Sequence, residues 1–73
     1  DDIPEFSLNE EDLIVNVIFD AGILQSKGEA RRMIKQGAVK LDGESITDIQ
    51  ATIAPSGEQI LKVGKRRFLK VIE

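Results

Sequence analysis

Two segments of this 73-residue chain carry apolar side chains at helical spacing. The first begins after the acidic residues 10–12, whose negative charge favours a first helical turn, with Asn9 or Ser7 available as a cap. Gly22 stands where a helix of this length would end. The apolar stripe contains Leu13, Ile14, Val17, Ile18 and Ala21, and is widened by Val15 and Phe19. We therefore expect helix one to run from near Asn9 to just before Gly22.

The second helical segment has start and stop signals of its own. Ser26 followed by Glu29 is a capping-box pattern, which predicts a helix beginning at Lys27. Gly37 offers the left-handed conformation that ends many helices. An arc of roughly 140° carries the cations Lys27, Arg31, Arg32 and Lys35. The apolar side chains of this helix are Ala30, Met33 and Ile34, on the other side. One face is predicted to be core and the other cationic.

After Gly37 the pattern changes to that of strands. Asp42-Gly43 is a strong hairpin signal between strand-like residues 38–41 and 44–47. Residues 48–57 predict an irregular crossing with a short strand near Thr52, and segments 59–63 and 67–72 predict a second hairpin. These elements predict an α+β fold, in which a two-helix corner packs on a small antiparallel-rich sheet. The expected core contains Leu13, Val17, Ile18, Ala30, Ile34, Val39, Leu41, Val63 and Phe68.

The start of the chain differs from the rest in composition. Residues 1–8 are acidic and interrupted by Pro4, so we expect an extended or poorly ordered linker end. The folded domain is then expected to span residues 9–73. Because the chain begins with Asp1 rather than methionine, we interpret it as a fragment of a longer protein or a processed form.

Charge is distributed very unevenly along the chain. Residues 1–25 hold seven acids and no Lys or Arg, a net charge of 0 − 7 = −7. Residues 26–73 hold ten basic residues and six acids, so their net charge is 10 − 6 = +4. The overall charge of −3 therefore conceals a basic region. A polyanion responds to this local field, since salt screens charges beyond about 10 Å.

The residue types argue against catalysis and for binding. The chain has no cysteine and no histidine, so thiolate or imidazole metal sites are excluded and its serines lack the usual activating base. We expect no metal and no cofactor in this segment. Apolar runs are too short to span a membrane and no secretory signal is present, so we expect a cytosolic domain. The basic region favours RNA as the polyanion that this domain binds. Because the chain has three Phe and no Trp or Tyr, we expect the domain to recognise RNA backbone and shape rather than to stack on bases.

Two motifs carry a family resemblance: SKGEARRMIKQGAVKLDGE over residues 26–44 and ILKVGKRRFLKV over residues 60–71. Together with the two-helix corner, they resemble the S-four-like RNA-binding domains (alpha-L type) over roughly residues 10–73. The lead-in DDIPEF, the opening of helix two and the closing VGKRRF are most similar to the C-terminal domains of bacterial tyrosyl-tRNA synthetases. Related families often place an arginine at the start of helix one, where this chain has acids.

The resemblance implies a domain that holds RNA for a catalytic body. The parent enzyme would be an ATP-dependent tyrosine–tRNA ligase, joined to this domain through the acidic N-terminal linker. The domain itself would carry no catalytic site and would grip tyrosine tRNA between the anticodon stem and the long variable arm. The RNA-binding residues implied at matching positions are Ser26, Lys27, Arg31, Arg32, Lys35, Gln36, Lys40, Lys65, Arg66 and Arg67. Gly28 stands where the family frequently has serine.

Two other interpretations remain open from the sequence. The domain could direct another protein to RNA, such as a pseudouridine synthase or a ribosome-associated factor. It could instead be a protein-interaction module, in which the acidic helix one binds a basic partner and the cations of helix two are only solvated. The basic turn at residues 65–67 also has a structural interpretation, because basic residues protect sheet edges from aggregation.

Overall fold

The computed structural model describes residues 3–73, which form two helices and two sheets. The helices are α1 (Ile14–Asp20) and α2 (Lys27–Lys35). The strands are β1 (Glu5–Ser7), β2 (Asp12–Leu13), β3 (Val39–Leu41), β4 (Glu44–Ile46), β5 (Thr52–Ile53), β6 (Gln59–Val63) and β7 (Arg67–Ile72). The main sheet has the order β1-β7-β6-β3-β4, while β2 and β5 form a separate antiparallel pair. Only β1 runs parallel to its neighbour in the main sheet, so the predicted α+β, antiparallel-rich architecture is confirmed.

A single core lies between the helices and one face of the main sheet, here called the inner face. The helices contribute Ile14, Val15, Val17, Ile18, Ala30 and Ile34, all buried. The sheet contributes Val39, Leu61, Val63, Leu69 and Val71. These strand residues alternate in sequence with outward-facing ones, as the pleat of a sheet requires. The other face of the sheet, here called the outer face, is not covered by either helix.

Helix α2 forms as the sequence predicts. The Ser26 hydroxyl accepts a hydrogen bond from the Glu29 N–H at 3.1 Å, which caps the first turn. Lys27 is the first helical residue. Gly37 follows the helix with a φ of 74°, and its N–H donates to the Ile34 carbonyl. The local sequence therefore determines where α2 begins and where it ends.

Helix α1 begins later than predicted, at Ile14 rather than near Asn9. Asp12 and Leu13 are extended, because they pair with β5, and the Ile14 N–H donates to the Ala51 carbonyl at 3.0 Å. The Asp12 carboxylate accepts hydrogen bonds from the Asn16 side chain at 2.9 Å and the Leu13 N–H at 2.8 Å. These two bonds hold the pKa of Asp12 below its ordinary value of 3.8. Long-range pairing thus replaces the expected first turn.

The segment expected to be a linker end contributes a strand. Strand β1 pairs with β7, the Leu8 N–H donates to the Ile72 carbonyl at 2.7 Å, and the Leu8 side chain is only 5% exposed. The expected boundary at residue 9 would separate this strand from its sheet. We therefore assign residues 5–8 to the folded domain, whereas residues 1 and 2 of the expected linker lie outside the described residues.

Both predicted hairpins form, with one error in the predicted core. Asp42 and Gly43 have φ values of 50° and 87°, the left-handed pair that a two-residue hairpin turn requires. Phe68 was expected in the core but is 38% exposed, because Leu69 and Val71 take the inner face of β7 and leave Phe68 on the outer face. Leu13 and Leu41, expected as core residues, are half-buried.

Neither helix within residues 3–73 has the length and apolar character needed to cross a membrane.

Candidate RNA interface

The cationic face of α2 is exposed, and within residues 3–73 none of its cations forms an ion pair shorter than 4.0 Å. Buried Ala30 and Ile34 fix the rotation of the helix against the core, which leaves Lys27, Arg31, Arg32 and Lys35 exposed. Within residues 3–73, every ion pair closer than 4.0 Å involves Lys70, on β7. Ion pairs between neighbouring turns are common on solvated helices, whereas among residues 3–73 no such pair shorter than 4.0 Å involves these four cations.

The start of α2 is open as well as positively charged. Apart from its chain neighbours and the backbone of the helix itself, nothing lies within 4 Å of the position that a Cβ on Gly28 would occupy. The first backbone N–H groups of a helix have no partner within it and favour anions. The Lys27 ammonium lies 5.5 Å from the centre of the Phe19 ring, a cation–π contact that links the two helices. The start of α2 is therefore open around Gly28, with the Ser26 and Lys27 side chains exposed beside it.

The β6–β7 turn lies beside α2 across a shallow groove. Val63 and residues 64–67 form one side of this groove, while Leu24, Glu29 and Met33 form the other. Gly64 has a φ of 72° and donates its N–H to the Ala38 carbonyl, which holds the turn against the end of α2. Lys65 and Arg66 are exposed in this turn, and the α2 side chains that line the groove are Glu29 and Met33.

Arg67 has a different role from its two neighbours. Its guanidinium donates a hydrogen bond to the backbone carbonyl of Ile23, in the connector between the helices. This contact ties the two-helix corner to the first residue of β7. Arg67 is therefore engaged in positioning α2, and it is less available to a ligand than Lys65 or Arg66.

Lys40 lies apart from the other predicted residues. It is on the outer face of β3, directly opposite Lys62 of β6, whereas α2 packs on the inner face. Gln36, by contrast, is the exposed C-cap residue of α2 and continues its surface. The predicted RNA-binding residues therefore divide into three groups. Most lie on α2 or in the β6–β7 turn, Arg67 positions the two-helix corner, and Lys40 lies on the opposite side of the sheet.

The sequence of this fold matches the family model described as tyrosine–tRNA ligase SYY-like C-terminal domain over residues 1–71. The chain belongs to this family. Among curated relatives, the tyrosine–tRNA ligase of Syntrophotalea carbinolica is 52% identical over 97% of this chain, and that of Desulfotalea psychrophila is 51% identical over 99%. The Thermotoga maritima ligase is 42% identical over 97%. The chain spans 18% of the length of each of these relatives.

Membership of the SYY-like C-terminal domain family confirms the resemblance seen in the sequence motifs. The family match includes the residues of β1, in agreement with their place in the sheet. Sequence reasoning missed two outer-face residues of this domain, Lys62 and Phe68. The position of Lys62 follows from period-two alternation once Leu61 and Val63 are assigned to the core, and that of Phe68 follows in the same way from Leu69 and Val71, so the sequence pattern did contain the signal.

Proposed function

We propose that this chain is the tRNA-binding domain of a tyrosine–tRNA ligase and that α2 provides its main RNA contact. The observation that carries the proposal is the face of four exposed cations on α2, none with a carboxylate within 4.0 Å among residues 3–73. The names of the relatives support tRNA as the RNA. The turn that lines the groove beside α2 contains two further exposed cations, Lys65 and Arg66.

The chemistry of this face suits phosphates better than base edges. Arginine forms paired hydrogen bonds with phosphate oxygens, so Arg31 and Arg32 would contact the backbone directly. The Ser26 hydroxyl can still donate its hydrogen to a phosphate oxygen while its own oxygen accepts the Glu29 N–H, because a hydroxyl has separate donor and acceptor sites. Duplex RNA exposes phosphates and 2′-hydroxyls while its deep major groove hides most base edges. The contact should therefore read RNA shape, and we place it between the anticodon stem and the long variable arm of tyrosine tRNA.

We assign the chemistry of the ligase to the remainder of such a protein. Tyrosine activation with ATP and transfer to tRNA would occur in a catalytic body joined through the N-terminal segment. The role of this domain would be to hold the tRNA so that its acceptor end reaches that body. Precise holding of a substrate contributes to rate by reducing the entropy lost on reaction.

The test compares equal charge reversals at two sites. Arg32→Glu alters the α2 face, whereas Lys70→Glu alters a lysine that already bridges Glu5 and Glu58 at 3.7 Å. Fluorescence anisotropy with tyrosine tRNA should show affinity weakened about tenfold or more for Arg32→Glu, the range for loss of a hydrogen bond to a charged group. Lys70→Glu should weaken it less than about threefold, as expected of a screened surface charge.

Two outcomes would contradict the proposal. Equal weakening by both variants would show that binding depends on net charge and not on the α2 face. Equal wild-type affinity for tyrosine tRNA and for a tRNA with a short variable arm would contradict the proposed position on the RNA. Circular dichroism of each variant establishes that the fold is retained.

A further inference from the structure

A row of four side chains crosses the outer face of the main sheet. The strand register places Ser45 opposite Lys40, Lys40 opposite Lys62, and Lys62 opposite Phe68. Each pair lies on neighbouring strands, and strands are about 4.8 Å apart. The row, here called the outer-face row, therefore extends from a hydroxyl through two ammonium groups to an aromatic ring on β7.

The composition of the outer-face row is unfavourable for the isolated fold. Like charges directly opposite each other on neighbouring strands destabilise a sheet. Lys40 and Lys62 nevertheless face each other, and no carboxylate within residues 3–73 lies within 4.0 Å of either ammonium. On the same face, Lys70 bridges both Glu5 and Glu58. Within residues 3–73, the fold therefore gives the lysine beside the row two carboxylate partners and gives the two lysines within the row none.

The exposed aromatic ring adds a second feature. Phe68 is 38% exposed, and the Lys62 ammonium lies 5.6 Å from the centre of its ring. A positive charge beside an exposed aromatic side chain is the combination with which proteins bind unpaired nucleotides, because bases stack on the ring while phosphates meet the cations. An acidic peptide would satisfy the two lysines but would leave the ring without a matching partner.

We propose that the outer-face row binds a single-stranded segment of RNA, with one base stacked on Phe68 and phosphates at Lys62 and Lys40. Two strand spacings separate Lys40 from Phe68, about 10 Å, which accommodates a nucleotide and its neighbouring phosphate. Ser45 supplies a hydroxyl at the end of the row. The site lies on the side of the sheet opposite α2, so it is a second RNA surface, and it rests on the proposed function only in taking RNA as the polyanion.

Tryptophan substitution provides a direct probe, because the chain has no Trp or Tyr of its own. Phe68→Trp is titrated with an unstructured ten-nucleotide RNA of adenosine and cytidine at low salt. Stacking should quench the indole fluorescence in a saturable manner. In anisotropy measurements with the same labelled RNA, Phe68→Leu should weaken binding about fivefold or more, the lower end of the range for losing one stacked base.

Charge variants test the rest of the row. The double variant Lys40→Gln/Lys62→Gln should flatten the plot of log affinity against log salt by about 1.4, since each phosphate on a single strand contributes about 0.7. Lys70→Gln, on the same face but outside the row, is the matched control and should change affinity less than twofold. Circular dichroism checks the fold of each variant.

Several results would overturn the inference. They are absence of oligonucleotide binding to the wild-type chain, unchanged binding by Phe68→Leu, and equal binding of an abasic oligonucleotide of the same length. Effective competition by an acidic peptide together with unchanged indole fluorescence would indicate a protein partner instead. The two proposals fail separately, because Arg31→Gln/Arg32→Gln should lose structured tRNA while retaining the oligonucleotide.

Discussion

Replacement of Leu8 by alanine should destabilise the domain strongly, although Leu8 belongs to the acidic segment that the sequence suggested was a linker. The side chain is 5% exposed and belongs to the core cluster. Buried Leu→Ala changes reduce the free energy of unfolding by 2–5 kcal/mol, and a site beside the edge strand β1 relaxes more easily than a central one. We expect a loss of about 2–3 kcal/mol. Scaling per residue gives this 73-residue chain about 4–11 kcal/mol in total, so the loss is a large fraction.

Urea denaturation followed by circular dichroism measures this effect. For a domain of this size the dependence on urea is about 1 kcal/mol per molar, so the midpoint should fall by about 2–3 M. Ile3→Ala is the matched control, because Ile3 lies in the same segment but is 40% exposed. It should change stability by less than about 0.5 kcal/mol. A Leu8→Ala midpoint equal to that of wild type would refute the docking of this segment and restore the mobile-linker interpretation.

Three further substitutions test local features by thermal or urea denaturation. Gly28→Ala should raise stability by up to about 1 kcal/mol, because a Cβ there meets nothing within 4 Å and alanine is the better helix former; a decrease would contradict this. Gly64→Ala should lower stability by about 1–2 kcal/mol, since its φ is +72° and the new Cβ would lie 3.1 Å from Met33 Cε; an unchanged midpoint would argue against the strained turn. Asp12→Asn should be less stable than wild type at pH 7. Because the pKa of Asp12 is lowered in the folded state, its carboxylate stabilises the fold above the ordinary pKa of 3.8, and this stabilisation is lost as the pH falls through the folded-state pKa. The difference in stability between Asp12→Asn and wild type should therefore narrow in acid. A stability difference that does not change with pH would contradict this role of the carboxylate.

Local signals predicted the parts of the fold that local interactions determine. The Ser26 cap, the Gly37 stop and the Asp42-Gly43 turn each form as expected, because each satisfies backbone groups or a left-handed conformation within a few residues. The exposed cations of α2 were predictable for the same reason, since buried Ala30 and Ile34 fix the helix rotation.

The predictions that were wrong concern contacts between segments that are far apart in the sequence. Residues 12 and 13 carry a helical pattern, yet they pair with a strand about forty positions away, and no local signal specifies that partner. Strand β1 is too short and polar to be identified without its neighbour β7. The sequence suggested that Arg67 is a free basic residue, because the Ile23 carbonyl that accepts its hydrogen bond is distant along the chain. Phe68 was misassigned because hydrophobicity was weighted above the strand alternation set by Leu69.

The salt dependence of binding to tyrosine tRNA measures whether the cations of α2 neutralise backbone phosphates. If Arg31 and Arg32 each neutralise a backbone phosphate, the double variant Arg31→Gln/Arg32→Gln should remain folded and bind more weakly. Its plot of log affinity against log salt should be flatter than that of wild type by about 1.8, taking about 0.9 for each phosphate as in double-stranded DNA. Identical slopes and affinities for the folded double variant and the wild-type chain would show that Arg31 and Arg32 do not contact the RNA backbone.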